Sequence, residues 1–302
     1  MRSIEKLIIS NEAGDALEFS ARSVFHCNIS KDVTGLSDVE NDVFSASGIG
    51  QTGETYLGYH ILPRRLHITG HIKSLDKTAV REYRHRLNHL LAPDSELKIL
   101  YEHGNYRRKI FGRTDSAPQF SAKNLFPEFA LDLLCLDPFW LDENETCTQI
   151  ATWVGDMIFD SVSGLTLGKT EDDKRWEIGN RSPNLIVHIV NAGDAGAGLS
   201  IRFQSQGEVV NPGIMDVASR QFIRFSKTLV YGEELIIKTG YGEKSAVYVA
   251  ANGAVSDAFQ YLDIESSFLQ LAVGDNPLRY FAQSGEGSLN VSVNYSNRYL
   301  GV

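Results

Sequence analysis

Residues 129–140 read Phe-Ala-Leu-Asp-Leu-Leu-Cys-Leu-Asp-Pro-Phe-Trp, an apolar run of strand length that stops at Asp137-Pro138. Proline has no amide hydrogen to give a neighbouring strand, and it drives the residue before it towards an extended backbone. A strand should end there. Leu141 follows, then the polar, acidic series Asp142-Glu143-Asn144-Glu145-Thr146. A buried strand giving way to a charged connection marks a domain boundary. At 302 residues the chain can hold two domains with separate cores. The expected division is 1–141 and 142–302, with a polar, protease-sensitive connection over 141–148.

The first half predicts strands around one helix. Two apolar runs, 4–9 and 15–19, flank Asn11-Glu-Ala-Gly14 and predict a hairpin; residues 25–29 make a further short strand. Residues 64–72 alternate, with Leu66, Ile68 and Gly70 on one face and Arg65, His67, Thr69 and His71 on the other. From 75 to 91 the period changes. Val80, Tyr83, Leu87, Leu90 and Leu91 form a helical stripe, with Asp76 placed to cap the start and Pro93 just past the end. Lys77, Arg81, Arg84 and Arg86 give this helix a basic outer face, either a solvated surface or one that meets an acidic partner. Strands return at 97–101 and 106–113 around a tight turn at Gly104-Asn105.

Residues 35–58 have a different character. Gly35, Gly48, Gly50, Gly53 and Gly58 are scattered among polar residues, and Val43, Phe44, Ile49, Tyr56 and Leu57 are among the few apolar side chains. Such a stretch buries little by itself. It is either a mobile surface loop or a glycine-kinked arm that orders against another subunit.

Beyond 142 helical periodicity is weak. Short strand candidates at 158–159, 185–190, 198–203, 222–225, 234–239, 245–249, 268–271, 279–282 and 288–295 are separated by turn signals that include Asn211-Pro-Gly213, Asn252-Gly253 and Gly274-Asp-Asn-Pro277. That spacing predicts a β-sandwich.

A net charge of −9 argues against a duplex-DNA binder and suits a wall past which DNA slides. No apolar run is long enough to cross a bilayer, and the N-terminus lacks a signal-peptide core, so assembly in cytoplasm is expected. Cys27, Cys135 and Cys147 make no disulfide framework, and Cys135 reads as a small buried hydrophobe. No cofactor or metal is expected. His85/His89 and His67/His71 have ligand-like spacing but no third partner, and His188 reads as a core residue. Glu143, Glu145 and 171–173 fall in connections rather than as a carboxylate pair across a cleft. With no Ser-His-Asp or Cys-His set either, no enzyme is expected. Trp153, Trp176 and Tyr241 could stack on sugar rings, or simply pack.

Three segments in order resemble the distal tail (Dit-type) proteins of long-tailed, non-contractile phages. They are residues 129–140; 50–58 with 62–70 (Gly-Gln-Thr-Gly-Glu-Thr-Tyr-Leu-Gly and Leu-Pro-Arg-Arg-Leu-His-Ile-Thr-Gly); and 290–302 (Asn-Val-Ser-Val-Asn-Tyr-Ser-Asn-Arg-Tyr-Leu-Gly-Val). The resemblance implies a mainly β chain: an N-terminal sandwich or split-barrel-like domain with one helix and a long arm, then a galectin-like, carbohydrate-module-like sandwich. The last strand, 289–302, could return to the first domain. It also implies a hexameric ring in the virion, closed by the arm through Phe44, Ile49, Gly50, Gly53, Tyr56 and Leu57. Such a ring joins the tail tube protein to the tail-tip protein and receptor-binding protein, and DNA passes through it without specific binding. The alternative is a module of the tail tip that binds host-envelope carbohydrate.

Overall fold

The computed structural model describes residues 5–20, 27–72, 74, 76–121, 127–150, 153–154, 158–160, 164–166, 180–181 and 186–302. Met1–Glu143 with Arg298–Val302 form one compact unit, and Asn144–Asn297 form the other.

The first unit opens with a hairpin of β1 (Glu5–Asn11) and β2 (Ala16–Ser20). Leu7, Ile9, Leu17 and Phe19 alternate inward and are buried. The turn closes because Asn11 Oδ1 accepts from the Asp15 amide at 2.9 Å while Gly14 takes φ +90°. β3 (Cys27–Thr34), β4 (Asn41–Ala46), β5 (Thr55–Ile61) and β6 (Arg64–Ile72) follow. The helix α1 spans Lys77–Leu90, and the Asp76 carboxylate caps it by accepting from the Thr78 amide at 2.9 Å. Its stripe buries Leu87, Leu90 and Leu91, with Val80 and Tyr83 packed alongside. β7 (Leu97–His103) and β8 (Tyr106–Phe120) pair from His103–Tyr106 onward, so Gly104-Asn105 form the whole turn. β9 (Glu128–Cys135) and β10 (Trp140–Asp142) complete this passage.

β1, β2, β3, β6, β9, β8 and β7 form a closed circuit, because β8 pairs with β9 as well as with β7. Closure removes the open edges of these seven strands, while β10 and Arg298–Tyr299 extend the sheet outward from β8. Its narrowest seam is the single parallel pair Ser20–Asn28 between β2 and β3. β8 runs 15 residues, well past the expected end at Arg113, with Pro118 inside it. Register shifts at Thr114/Ser116 and Ser116/Gln119 leave residues there unpaired, so the missing proline donor is tolerated. Leu66, Ile68 and Ile72 from β6 meet Phe129, Leu131, Leu133 and Cys135 from β9 in the core. Burial pushes the Cys135 thiol up to about 12, so it stays protonated near neutral pH.

In the second unit two sheets share one core. One sheet runs in the order Thr146–Gln149, Leu289–Tyr295, Ala197–Ser205, Glu234–Lys238, Ser245–Val249, Val255–Asp257, with Gln270–Leu271 also on Ala197–Ser205. The other runs Val187–Asn191, Gly274–Phe281, Gly213–Asp216, Phe222–Arg224. Leu199, Ile201, Phe203, Leu235, Val291 and Val293 from the first share a cluster with Ile189, Ile214, Ile223, Leu278 and Tyr280 from the second. This is a β-sandwich.

Three expectations need correction. The polar connection is short: Trp140–Asp142 and Thr146–Gln149 are both strands. Thr146–Gln149 has no apolar alternation and is held by backbone pairing to Leu289–Tyr295. Gly274-Asp-Asn-Pro277 is not a turn but the start of a strand; Asn276 is nearly buried and bonds the Ile189, Ala272 and Gly274 carbonyls and the Ala272 amide. His188 is not in the core, because the inward residues of its strand are Ile189 and Asn191. His188 is exposed and lies 2.7 Å from the Asp275 carboxylate. The chain's ending divides, with Leu289–Tyr295 in the second unit's sheet and Arg298–Tyr299 paired to β10 in the first unit.

Candidate assembly surface

β4 and β5 form a separate two-stranded ribbon, paired from Asn41–Ile61 to Ala46–Thr55 with a register shift between Phe44 and Ser45. Its foot is closed by the Leu62 amide donating to the Glu40 carbonyl at 2.9 Å. At the tip Gln51 Oε1 accepts from the Gly48 amide at 3.0 Å, and Gly50 and Gly53 have φ of +80° and +83°. Those left-handed conformations favour glycine. Phe44, Ile49, Tyr56 and Leu57 stand on this ribbon, and each is more than half exposed. Val43 and Tyr59 are equally exposed. Tyr59 lies just past the glycine-rich stretch, so the composition of 35–58 gives no sign of it. A two-stranded ribbon with no core beneath it is marginal in water.

The ribbon's root is held by a feature that sequence reading missed. The Arg64 side chain is buried, 2% exposed. Nε donates to the Pro138 carbonyl at 2.7 Å; Nη1 donates to Gly35, Leu36 and Asp38 at 2.5, 3.1 and 3.2 Å; Nη2 donates to Leu300 at 2.5 Å. One planar fork thus ties the ribbon's entry, the bend after β9 and the chain's last residues. Burial pulls the guanidinium pKa down, while Asp38 opposes that shift. Trp140, fully buried, donates Nε1–H to the Leu36 carbonyl at 3.0 Å, and the Ser37 hydroxyl donates to the Val302 carbonyl at 2.9 Å. A signal was present: Arg64 lies two residues before Leu66, so strand alternation puts it on the buried face.

The other candidates are dispersed. His85 and His89 are exposed on α1, and His89 Nε2 is 3.6 Å from Asp15. His67 Nδ1 lies 2.6 Å from Asp132 Oδ1, and the Ser116 hydroxyl donates to Asp132 Oδ2 at 3.0 Å. The His67 hydrogen bond is the main cause of a lowered Asp132 pKa. Glu143 accepts from Arg107 at 3.3 Å. Trp176 and residues 171–173 lie outside the described residues, and of Trp153 only the backbone, in Trp153–Val154, is described. Tyr241 is exposed, with Lys244 Nζ 5.6 Å from its ring centre and 4.6 Å from that of Phe268. Among the described residues no helix is long and apolar enough to cross a membrane, and no cluster of three metal-ligating side chains occurs.

Residues 192–299 match the family model described as siphovirus-type tail component, C-terminal domain. No curated protein sequence matches the chain. In fold the chain is similar to the Dit protein (gp 19.1) of phage SPP1, described as a hub of the adsorption apparatus in phages infecting Gram-positive bacteria. That likeness has a TM-score of 0.68 at 15% identity and covers 97% of this chain and 98% of that one. A chain of the phage P2 baseplate in its activated, Ca form is similar at TM-score 0.55 and 11% identity over the full length of both. The corresponding Sr form gives 0.54 and 11% over 99% of each. The C-terminal domain is thus similar to siphovirus-type tail components, and the fold of both units is similar to that of Dit.

Proposed function

We propose that the chain is a structural, non-catalytic hub of a phage tail tip. Six copies close into a ring through the β4–β5 ribbon, within the virion and after assembly in host cytoplasm. The ring joins the tail tube to the tail-tip protein and receptor-binding protein, and DNA passes through its channel without specific binding. The carrying observation is the ribbon itself, which presents Val43, Phe44, Ile49, Tyr56, Leu57 and Tyr59 with no core of its own. Burying such side chains fully is worth about 1.5–3 kcal/mol each. A cyclic assembly offers each copy's ribbon the same patch on the next copy and leaves none unfilled. The acidic balance suits a channel wall, since like charge avoids trapping phosphates.

The alternative, a module for host-envelope carbohydrate, rests among the described side chains on exposed Tyr241 alone. The test is tail assembly by a phage whose chain has residues 42–60 replaced by Asn-Gly. Asn41 and Ile61 are the ribbon's last pair, so this cut spares the Arg64 ties. Tails should fail to complete while both units stay folded; complete tails would refute the role given to the ribbon.

A further inference from the structure

We propose that the ribbon docks on a second copy of this chain at one particular place, the cleft that β6, the end of β8 and the start of β9 form beside Arg84, together with the Lys77, Arg81, Arg84 stripe of α1. This deepens the ring reading and rests on it. The first observation is charge. From Val33 to Pro63 there is no lysine or arginine, but there are Asp38, Glu40, Asp42 and Glu54. Asp42 and Glu40 are exposed, and no ion pair engages either of them among the described residues. With its root, the ribbon thus carries four carboxylates and exposed apolar side chains, and its one titratable base is His60, opposite Asp42.

The second observation is where uncompensated positive charge sits. Lys77, Arg81 and Arg84 are spaced four and three apart, so they line one side of α1. Lys77 and Arg81 are exposed, and no described carboxylate pairs with them. Arg84 leans from the same stripe onto β8, donating Nη2–H to the Ser121 carbonyl at 3.2 Å with its guanidinium 5.1 Å from the Phe120 ring centre. A cleft of about 480 Å3 opens there, with Phe120 and Phe129 beside Thr69, Gln119 and Ser121, and with Glu128 of β9 as its one carboxylate.

The third observation is register. Asp42 and Phe44 are two apart on β4, so they project from the same face of the ribbon, roughly 6.6 Å from each other along the strand. The helix offers the complementary order, a free cation at Arg81 and, one turn on, Arg84 stacked on an aromatic ring. Phe44 therefore enters the cleft against Phe120 while Asp42 reaches Arg81, and Glu40 faces Lys77 further along. Like-charge contact between ribbons disfavours ribbon-to-ribbon pairing, and the basic stripe offers the opposite charge beside an aromatic cleft.

The test uses the full chain and reads self-association by sedimentation at 0.1 and 0.5 M salt. K77E/R81E should weaken association by about tenfold or more at low salt, with a smaller loss at high salt. E40K/D42K should do the same, and one chain carrying all four reversals should recover most of the loss. Melting curves check that each variant, altered only at exposed positions, remains folded. If K77E/R81E associates as the parent does while the hairpin-deleted chain does not, the acceptor is wrong but the ring reading stands. If the fourfold variant fails to recover, the pairing is wrong. If the hairpin-deleted chain assembles, both readings fall, as they do if the parent stays monomeric at every concentration.

Discussion

Replacing Arg64 tests whether one buried guanidinium holds the ribbon's root. It donates to five carbonyls, those of Gly35, Leu36, Asp38, Pro138 and Leu300, the first three sharing the two N–H groups of Nη1. A hydrogen bond to a charged group is worth about 1.5–3 kcal/mol when taken singly. Five sharing one side chain do not add, and removing the arginine also removes a charge that was costly to bury. Arg64→Met, which keeps apolar bulk but no donor, should cost about 3–5 kcal/mol. That is a large share of the ~5–15 kcal/mol typical of a folded domain. The melting temperature of the first unit should fall by about 10 °C, at ~2–4 °C per kcal/mol for its size. Arg64→Lys cannot reach carbonyls spread around a planar fork and should lose about half as much. Chemical denaturation gives the energies. Amide exchange at 35–40 and at Leu62, whose amide closes the ribbon's foot, shows whether the root loosens. An Arg64→Met chain within about 1 kcal/mol of the parent, with exchange unchanged, would refute the reasoning.

Gly35 and Gly14 have nearly equal φ, +88° and +90°, but an added Cβ at Gly35 would sit 2.0 Å from the Arg65 carbonyl oxygen while Gly14 faces open space. Gly14→Ala should cost about 1 kcal/mol and Gly35→Ala several times more by denaturant midpoint. Trp140→Phe loses the bond to the Leu36 carbonyl and should cost about 1–2 kcal/mol in the same assay. Because the folded Asp132 pKa is depressed, chiefly by its His67 bond, that pair's stabilisation is fully present above the ordinary carboxylate value of 3.8 and is lost as pH falls through the lowered one. Asp132→Asn should flatten the acid limb of the stability curve below pH 3.8. Chymotrypsin should cut at Tyr56–Tyr59 in chains diluted to monomers and be slowed there in the assembled ring, whereas trypsin leaves 33–63 intact in either state for want of any lysine or arginine.

Much of this fold is legible because one face of each strand or helix must be apolar. β6 shows its alternation directly, and α1 shows both its stripe and its Asp76 cap. Arg64 lies on the apolar face by the same alternation, but charge hides it; only the backbone carbonyls that converge there make burial tolerable. Thr146–Gln149 is invisible for the opposite reason, since it is a polar edge strand held through backbone groups whose partner lies far along the chain. In Gly274-Asp-Asn-Pro277 residue types common in turns serve another purpose, with Asn276 satisfying buried backbone groups inside a strand. The closed circuit depends on β8 meeting β9 across two register shifts, which no local pattern encodes. The ribbon shows how little a stretch can bury, but not what it meets.

The central claim, that the ribbon makes this chain a ring, is tested most directly by the mass of the purified protein in solution. The account predicts a single closed species of six copies of the 33.5 kDa chain, and a monomer that is still folded and melts cooperatively once 42–60 is replaced by Asn-Gly. A hairpin-deleted chain that still sediments as the closed species, or a parent chain that forms no closed species at any concentration, would contradict it.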